Sequence, residues 1–542
     1  MPTRMASGNR PAGTLNRQTE HPLQIVGYDE EIPMTAQHTN ARLSALEEGK
    51  ALRVDVQNTP ILLIRRGDTV MAFQAECPHA GAPLEDGAIC GNRLICPWHK
   101  GTFSLDDGNV LEPPALDALR RYRVELNGDQ ILVDPTPYET PTSQQTGDSR
   151  TFLVIGAGAA GAAAASALRE FGYGGRLLLI DPDPQAPYDR TALSKFVIAG
   201  KQAPAEVPAV RDQTFFDANG IDRLHARVCR IDLGAHQAEL EDGQRLDFDQ
   251  ALITTGGTPV RPSLPGSTLE GVHLLRGMSE AIPLHDEPRK GERVVIIGNS
   301  FIGMEAASAF TEKGLEVHVV ARHALPFEKP LGKVMGQWFR TLHQRNGVAY
   351  HVGEVDRIDG DPRAEAVVLK DGTRLQADHV LIGTGISPAC DWVDGVTRAD
   401  DGSVRVNDRF SAANGLWAAG DVATFIHRGE PTRIEHWRVA QQQGRIAAQN
   451  MLGAALIYED VPFFWTMQHG LRVDVLGHAN EWDELIVDGN LESNEFVAFQ
   501  VKDNQVVGAI CCQREWASAA LSDRMRTPLS LDDALALTRE SK

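Results

Sequence analysis

Four side chains that commonly bind metals occur as two close pairs in the first fifth of the chain. Cys77 and His79 form a Cys-x-His pair, Cys96 and His99 form a Cys-x-x-His pair, and residues 80–95 separate them. Zinc is one candidate, but a zinc finger usually takes its cysteines from one loop and its histidines from a helix. Here each segment offers one thiolate and one imidazole. That division suits a 2Fe-2S cluster with two cysteines on one iron and two histidines on the other.

The sequence around these pairs resembles a known iron-sulfur signature. The stretch AECPHAGAPLEDGAICGNRLICPWHKGTFS, residues 75–104, resembles the Rieske motif, and the resemblance covers about residues 33–135. It implies a small all-β domain in which the four residues named above are the metal ligands. High-potential Rieske domains have an additional cysteine in each loop, whereas the matching positions here are Ala82 and Trp98. The resemblance therefore implies a low-potential cluster, which a flavin can reduce.

Composition limits the class of protein. The chain has 542 residues, which is enough for several domains, and its 42% hydrophobic and 23% charged residues are typical of globular proteins. The formal net charge of -20 disfavours nucleic acids and acidic membrane surfaces as partners. The 7 cysteines show no paired spacing outside the Rieske-like loops. We therefore expect a reduced, cytoplasmic protein with no transmembrane helix.

Two polar segments predict flexible connections. Residues 1–32 lack an apolar run and predict a mobile N-terminal arm, with a transit peptide as the alternative. Residues 136–150 are rich in Pro, Thr, Ser and Gln and predict a linker. We expect this linker to act as a tether for the Rieske domain.

A dinucleotide-binding pattern follows the linker. An apolar strand precedes Gly156-x-Gly158-x-x-Gly161, a helix follows, and a second strand ends at Asp181. Glycines at these positions let the backbone approach a pyrophosphate at a helix N-terminus, and an acid after the second strand accepts hydrogen bonds from a ribose. The context of strand, turn, helix and acid makes this match far more specific than the glycines alone.

A second copy of the pattern differs in two places. Gly298 and Gly303 fill the outer glycine positions, but Ser300 takes the middle one. The acid expected after the second strand is replaced by Ala321, and Arg322 follows. A missing acid and an available guanidinium favour a 2'-phosphate, so the sequence predicts NADPH over NADH. The alternative is that Arg322 is an ordinary solvated residue.

Two such folds in one chain can hold FAD and a nicotinamide nucleotide. Their order, with the segments PYDRTALSK, ALITTGGTP, VLIGTGISP and LWAAGDVA, resembles the flavoprotein reductases of the ferredoxin-reductase and apoptosis-inducing-factor-like group over about residues 151–480. The resemblance implies further cofactor-binding residues: Arg190, Lys195, Thr255, Gly256, Gly383, Gly385, Gly420, Asp421, Trp437 and Trp465. The two tryptophans are expected near the flavin ring.

The expected fold class is multidomain. A small all-β Rieske domain precedes an α/β flavoprotein reductase with two dinucleotide-binding domains and a C-terminal α+β domain. We expect a discontinuous FAD-binding domain at residues 151–265 and 390–455, with an NAD(P)-binding domain inserted at 266–389. Residues 456–542 are expected to form a C-terminal domain of the reductase or dimerisation type. The protein is therefore predicted to be a monomer or a homodimer.

The resemblance implies electron transfer through cofactors rather than acid-base catalysis. Glu305 is predicted to orient the nicotinamide and to pair with Lys195; the alternative is a helix N-terminal acid favoured by the helix dipole. Cys229 and Cys390 are isolated, which argues against disulfide reduction. The leading hypothesis is transfer from NAD(P)H through FAD to the chain's own Rieske 2Fe-2S cluster and on to an external acceptor such as an oxygenase. The alternative is an apoptosis-inducing-factor-like, redox-gated interaction or signalling protein.

Overall fold

The computed structural model of the protein describes residues 37–138 and 147–540. The predicted arm at residues 1–32 and the middle of the predicted linker, residues 139–146, lie outside this part of the chain. Within it, no helix is both long enough and apolar enough to span a bilayer. The Rieske-like segment and the reductase segments belong to one compact unit, Ala36–Lys542.

The first domain consists of two antiparallel sheets. Its strands are β1 (Gln37–Arg42), β2 (Ala51–Val56), β3 (Thr59–Arg66), β4 (Thr69–Gln74), β5 (Ala88–Cys90), β6 (Arg93–Ile95), β7 (Thr102–Ser104), β8 (Val110–Glu112), β9 (Arg121–Asn127) and β10 (Gln130–Tyr138). One sheet has the order β1-β10-β9-β4-β3-β2, and the other has the order β5-β6-β7-β8. Strand β10 ends three residues beyond the predicted domain boundary at residue 135.

Strand β3 shows why the larger sheet lies at the centre of this domain. Successive side chains of a strand point to opposite faces. Leu62 and Ile64 pack into the core that also contains Cys77 and Cys96. Ile61 and Leu63 pack into a separate core on the other face. The sheet therefore has apolar contacts on both sides, and one of its faces supports the cysteine-bearing loops.

The FAD-binding region begins with a Gly-rich βαβ unit. Its elements are β11 (Thr151–Ile155), α1 (Ala159–Glu170), β12 (Arg176–Asp181), α2 (Gln213–Ala218), β13 (Ile221–His225), β14 (Val228–Asp232), β15 (Gln237–Leu240), β16 (Arg245–Asp247), β17 (Gln250–Ile253) and β18 (Gly257–Pro259). Strands β13, β12, β11 and β17 are parallel neighbours in one sheet. The apolar runs of β11, β12 and β17 are buried on both faces, as expected of parallel strands covered by helices.

The nucleotide-binding region repeats this organisation. Its elements are β19 (Val272–His273), α3 (Met278–Asp286), β20 (Arg293–Ile297), α4 (Phe301–Lys313), β21 (Glu316–Ala321), α5 (Glu328–Arg345), β22 (Ala349–Val352), β23 (Val355–Gly360), β24 (Ala364–Leu369), β25 (Arg374–Gln376), β26 (His379–Ile382) and β27 (Ile386–Pro388). The parallel sheet has the order β19-β26-β20-β21-β22. Strands β18 and β27 pair with each other, so the chain enters and leaves this region side by side.

The chain then returns to the first dinucleotide fold. This segment contains β28 (Val404–Arg405), β29 (Ser411–Ala413), β30 (Leu416–Ala418), β31 (Ala423–His427), β32 (Glu430–Thr432) and α6 (Trp437–Met451). Strand β30 pairs in parallel with β17, which completes the order β13-β12-β11-β17-β30-β29. Helix α6 packs closely on α1: a Cβ at Gly444 would lie 2.2 Å from the carbonyl oxygen of Ala160. The small residues of both helices allow this approach.

The C-terminal region is an antiparallel sheet with two helices. Strands β33 (Phe463–Gln468), β34 (Leu471–Gly477), β35 (Glu484–Asn490), β36 (Glu495–Lys502) and β37 (Gln505–Cys512) precede α7 (Glu515–Arg524) and α8 (Leu531–Glu540). The sheet has the order β33-β34-β37-β36-β35. The described residues thus have the predicted architecture of an all-β domain, two α/β domains and an α+β domain.

Acid should destabilise the contact between α5 and the C-terminal sheet. His343 is fully buried, its Nε2 lies 2.8 Å from Gln468 Oε1, and its Nδ1 lies 2.9 Å from His469 Nε2. Burial lowers the pKa of His343 to about 3, from an ordinary value of 6.5. As the pH falls, the imidazole of His343 is therefore protonated at a higher pH in the unfolded chain than in the folded one. Its contribution to the free energy of unfolding is fully present above pH 6.5 and decreases as the pH falls towards 3. We expect His343 to account for a loss of about 2 kcal/mol between pH 6.5 and 4.5.

Urea unfolding at several pH values measures this effect. A His343→Gln variant should show a shallower dependence of stability on pH over the same interval. Equal slopes in the variant and the natural chain would contradict the assignment to His343.

Candidate functional site

The two predicted ligand pairs lie on two loops of similar build. Cys77 and His79 follow β4, and the second pair lies between β6 and β7. In each loop the cysteine carbonyl accepts a hydrogen bond from the backbone N–H four residues later: from Gly81 to Cys77 at 2.9 Å, and from Lys100 to Cys96 at 3.2 Å. These turns hold each cysteine close to its histidine.

The loops bring like donors together. Nδ1 of His79 and Nδ1 of His99 are 3.1 Å apart, and the thiols of Cys77 and Cys96 hydrogen-bond to each other. Burial opposes ionisation of Cys96, but the hydrogen bond from Cys77 and those from backbone N–H groups outweigh it and lower the pKa of Cys96 to about 7. The thiolate is the form that binds a metal, and Cys96 is the thiol of the pair that ionises first, because the hydrogen bond with Cys96 and burial raise the pKa of Cys77.

The cysteine pair and the histidine pair occupy separate positions. In a tetrahedral zinc site all four donors lie within about 4 Å of one another, because each bond is only about 2.0–2.3 Å long. No three of the four predicted ligands have donor atoms within 4.8 Å of one another; among the described residues that condition is met by His273, Glu287 and His379 in the nucleotide region. Two separate pairs fit a two-iron cluster. The donor set therefore favours 2Fe-2S over zinc.

A cavity of about 510 Å³ lies where the two α/β regions and the C-terminal sheet meet. Its wall includes most of the predicted cofactor-binding residues: Gly156, Gly158, Asp181, Arg190, Lys195, Thr255, Gly256, Ser300, Glu305, Gly383, Gly385, Gly420, Asp421, Trp437 and Trp465. Gly161, Gly298, Gly303 and Arg322 are not part of this wall. Residues that are far apart in the sequence therefore converge on a single site.

The Gly-rich turn at this cavity leaves room for a diphosphate. A Cβ at Gly158, which caps the N-terminus of α1, would meet nothing within 4 Å. A Cβ at Gly161 would lie 1.8 Å from the carbonyl oxygen of Gly156. Gly161 thus permits tight packing behind the turn, whereas Gly158 leaves an open cradle in front of the helix. This arrangement fits the pyrophosphate of FAD.

Two carboxylates at the cavity already have protein partners. Asp181 accepts hydrogen bonds from the backbone N–H of Ala157 at 2.5 Å and of Asp183 at 2.8 Å. Asp421 accepts one from Arg276 Nη2 at 2.8 Å. Asp181 therefore fixes the Gly-rich turn in addition to its predicted ribose role, and Arg276 joins the site as a residue that the sequence did not indicate.

The predicted pair of Lys195 and Glu305 is present and buried. Lys195 Nζ donates to Glu305 at 3.0 Å, and the two side chains are only 5% and 4% exposed. Ser194 and Thr466 also donate to the Glu305 carboxylate, at 2.5 and 2.7 Å. Lys195 Nζ lies 4.6 Å from the centre of the Trp465 ring. Glu305 thus joins the FAD region to the C-terminal sheet.

Ser300 explains how the second Gly-rich turn works without its middle glycine. It caps α4: its hydroxyl accepts a hydrogen bond from the N–H of Gly303 at 3.3 Å and donates to the carbonyl oxygen of Gly383 at 2.9 Å. A Cβ at Gly298 would lie 2.4 Å from the same carbonyl oxygen, and a Cβ at Gly303 would lie 2.6 Å from that of Gly298. Gly298 and Gly303 are therefore needed for packing, and Ser300 for capping.

Arg322 has a partner that the sequence analysis missed. Its guanidinium lies 3.3 Å from Glu354, and its side chain is 75% exposed. Glu354 comes next to β21 because the N–H of Gly353 donates to the carbonyl oxygen of Ala321. The acid that is absent at position 321 is thus supplied from a neighbouring loop. The guanidinium on which the NADPH prediction depended is thus paired with a carboxylate, which also pairs with Lys370 at 3.0 Å.

The histidines of the first domain reach the flavin cavity. Both His79 and His99 contribute to its wall. The ring of His99 lies 5.1 Å from that of Trp465, and its Nε2 lies 3.4 Å from Arg472 Nη1. The Nδ1 atoms of the two histidines face each other, so Nε2 of His99 is the edge turned towards the reductase. The candidate cluster and the candidate flavin site are therefore neighbours.

Buried charges hold the first domain against the reductase. Lys100 is fully buried and donates to Asp474 of β34 at 2.8 Å. Glu112 of β8 accepts hydrogen bonds from Arg438 of α6 at 2.5 Å and from Arg526 at 3.0 Å. We expected a domain that hangs on a tether, but in the described residues it is docked, and these buried ion pairs join it to the reductase.

No motif marks the residues that form this contact. Glu112 and Arg438 are separated by more than 300 positions, and each looks like an ordinary surface charge in the sequence. The positions of Arg472 and Asp474 could have indicated a buried contact, because they place two charges on one face of an otherwise apolar strand. Charges at such positions are usually paired when they are buried.

Comparisons with known protein families agree with this arrangement. Residues 150–444 match the model of the pyridine nucleotide-disulphide oxidoreductases, residues 37–123 match the Rieske [2Fe-2S] domain, and residues 463–536 match the reductase C-terminal domain. Apoptosis-inducing factor 3 of Homo sapiens is 31% identical over 484 residues, which cover 85% of this chain and 79% of that protein. The ferredoxin--NAD(+) reductase component of the biphenyl dioxygenase system of Paraburkholderia xenovorans is 33% identical over 378 residues, covering 68% of this chain and 92% of that protein.

Solved structures show the same reductase fold. A ferredoxin reductase of Rhodopseudomonas palustris has a TM-score of 0.68 at 26% identity and covers 73% of this chain and 100% of its own. The covalent putidaredoxin reductase-putidaredoxin complex has a TM-score of 0.67 at 26% identity, with 71% and 96% covered. The fold, the paired dinucleotide sites and these matches together show that this chain belongs to the pyridine nucleotide-disulphide oxidoreductase family and carries a Rieske [2Fe-2S] domain and a reductase C-terminal domain.

Proposed function

We propose that this chain takes electrons from NADH, passes them through FAD to its own Rieske cluster, and delivers them to an external redox acceptor such as an oxygenase component. The observation that supports this most strongly is the shared cavity, whose wall contains both His99 and the FAD-binding Gly-rich turn. FAD, when bound, accepts a hydride and releases its two electrons singly, and a 2Fe-2S cluster accepts one electron at a time. A cytoplasmic location is part of the proposal, because the seven cysteines are free.

The chain's own residues position the reactants and exclude water. Glu305 holds the Lys195 ammonium in place, so a positive charge faces the cavity in which negative charge arrives. Trp465 lies against both Lys195 and His99, and it covers the passage between the two cofactor sites. Arg472 adds a second positive charge next to His99. These groups favour arrival of electrons on the cluster side of the cavity.

Glu305→Gln should slow flavin reduction. Glutamine keeps hydrogen-bonding capacity for Ser194 and Thr466 but removes the charge that holds Lys195. We expect NADH to bleach the flavin about 10–100 times more slowly with FAD content unchanged, as is typical when a positioned charge is lost. Stopped-flow absorbance measures this rate. Glu312→Gln on the same helix is the control, since Glu312 pairs with Lys201 at 2.5 Å, outside the cavity wall. Equal rates in both variants would contradict a role for Glu305.

NADH is proposed in place of the NADPH expected from the sequence, because Glu354, which pairs with both Arg322 and Lys370, places a carboxylate next to the end of β21. A carboxylate accepts from a ribose 2'-hydroxyl and repels a 2'-phosphate. The names of the reductase relatives also specify NAD(+). Their dioxygenase systems support an oxygenase component as the acceptor.

Glu354→Gln should shift the preference towards NADPH. The change removes the repulsive carboxylate and frees Arg322 to meet a 2'-phosphate. We expect the ratio of kcat/KM for NADPH to that for NADH to rise at least tenfold. Asp356→Asn is the control, because Asp356 pairs with Arg357. An unchanged ratio in Glu354→Gln would show that this carboxylate does not face the nucleotide.

A redox-gated interaction protein is the second candidate. The match to apoptosis-inducing factor 3 spans both the Rieske and the reductase parts, which the match to the dioxygenase reductase does not. Steady-state turnover with NADH and cytochrome c separates the two. An electron-transfer enzyme should cycle rapidly, whereas a redox-gated protein should remain reduced for a long time with little turnover.

A further inference from the structure

A second cavity, of about 800 Å³, lies between the Rieske domain and the FAD region. His79 and His99 form part of its wall as well, and it shares Trp437 and Trp465 with the flavin cavity, so the two cavities adjoin. The aromatic residues of its wall are Trp98, Phe196, Phe215, Trp437 and Trp465. A volume and lining of this kind are typical of sites for small organic ligands.

Two polar groups on this wall have no hydrogen-bond partner among the described residues. They are Oε1 of Gln441, a residue that is only 1% exposed, and Nη2 of Arg472. An unpaired buried polar group destabilises the fold, so such groups normally meet a ligand or water. One of them accepts a hydrogen bond and the other donates one. A ligand that satisfies both must offer a donor and an acceptor.

The charges and the unpaired groups on the wall favour a neutral ligand. Arg211 is paired with Asp117 at 2.8 Å, and Arg472 is paired with Asp474 through its Nε at 2.8 Å. The remaining charged groups on the wall are carboxylates, including Asp212 and Glu515, and they would repel an anion. An ammonium group has no acceptor for Arg472, whereas a neutral hydroxyl can donate to Gln441 and accept from Arg472.

We propose that this cavity binds a neutral, flat aromatic molecule with a hydroxyl group, whose ring packs on the tryptophans and whose oxygen pairs with Gln441 and Arg472. A phenol combines a donor and an acceptor in one group and matches the aromatic wall. Binding there requires neither NADH nor electron transfer, so it stands apart from the proposed function. Because the ligand would contact His79 and His99, its presence should also alter the electronic environment of the cluster.

Calorimetric titration of the oxidised holoprotein with three probes tests the proposal. The probes are 2-naphthol, 2-methoxynaphthalene, which keeps the acceptor but lacks the donor, and naphthalene, which lacks both. We expect one 2-naphthol per chain, bound about tenfold more tightly than 2-methoxynaphthalene, which is the difference that one hydrogen bond makes. Absence of saturable 2-naphthol binding would overturn the proposal.

Gln441→Leu isolates the polar contact. This variant should bind 2-methoxynaphthalene as well as the natural chain does, which also shows that it is folded, but it should lose the tenfold preference for 2-naphthol. Gln449→Leu is the matched control on the same helix, because Gln449 does not belong to the cavity wall and should keep the preference. A preference that survives in Gln441→Leu would overturn the proposal. In the dithionite-reduced protein, 2-naphthol should also shift the cluster's paramagnetic resonance signal, and an unchanged signal at saturation would place the ligand elsewhere.

Discussion

Replacing Cys96 by alanine should abolish the paramagnetic resonance signal of a reduced Rieske cluster and reduce the NADH-dependent rate of cytochrome c reduction at least a hundredfold. Cys77 and Cys96 would hold one iron of the cluster, so the variant removes one of that iron's two protein ligands. Flavin reduction by NADH should continue at nearly the natural rate, because Cys96 lies in the Rieske core and not in the wall of the flavin cavity. Iron analysis, absorbance and paramagnetic resonance measure the three quantities.

Cys90→Ala is the matched control for this loss. Cys90 lies in the same domain, on β5, but it is half-buried and outside both ligand pairs. Iron content, signal and cytochrome c reduction should all remain at natural levels. Retention of the Rieske signal in Cys96→Ala, or its loss in Cys90→Ala, would mean that the ligands have been assigned incorrectly.

Replacing Glu112 by glutamine should uncouple the two halves of the molecule. Glu112 is buried and accepts from Arg438 and Arg526 across the domain contact; Arg93 of its own domain contacts it as well. Removing one charge from a buried network typically costs about 3–5 kcal/mol. That free energy corresponds to a factor of a hundred or more in the docking equilibrium. Because this factor is the largest slowing that undocking can cause, we expect transfer from flavin to cluster to slow about tenfold to a hundredfold, with an unchanged rate of flavin reduction.

The matched control is Glu125→Gln, an exposed glutamate on β9 of the same domain. It should leave both rates unchanged. Stopped-flow absorbance follows the flavin, and freeze-quenched paramagnetic resonance follows the cluster. An unaltered rate of cluster reduction in Glu112→Gln would show that docking does not depend on this network.

Residues whose roles depend on short sequence spacing could be predicted. The two ligand pairs each lie within four positions, and the Gly-rich turn around Gly158 is contiguous with its strand and helix. Such local patterns reflect a local backbone geometry, so the sequence alone indicates them. The fold class follows for the same reason, since each βαβ unit is a continuous stretch.

Residues whose roles depend on contacts between distant segments could not be predicted. Glu354 lies 32 positions after Arg322, and only the adjacency of β21 and the loop after β22 brings them together. The NADPH expectation lost its basis for this reason. The docking of the Rieske domain could not be predicted for the same reason, because the partners of Glu112 and Lys100 lie on elements that are remote in the sequence. The polar linker predicted a mobile domain, whereas the buried ion pairs hold the domain against the reductase.

In the proposed pathway, electrons pass within one chain from the flavin to the docked cluster. Anaerobic mixing with NADH at several protein concentrations, with the flavin followed by absorbance and the cluster by freeze-quenched paramagnetic resonance, measures this transfer. We expect the flavin to bleach first and a Rieske signal then to grow at a first-order rate independent of protein concentration. A cluster that remains oxidised after the flavin is bleached, or one whose reduction accelerates with protein concentration, would contradict it.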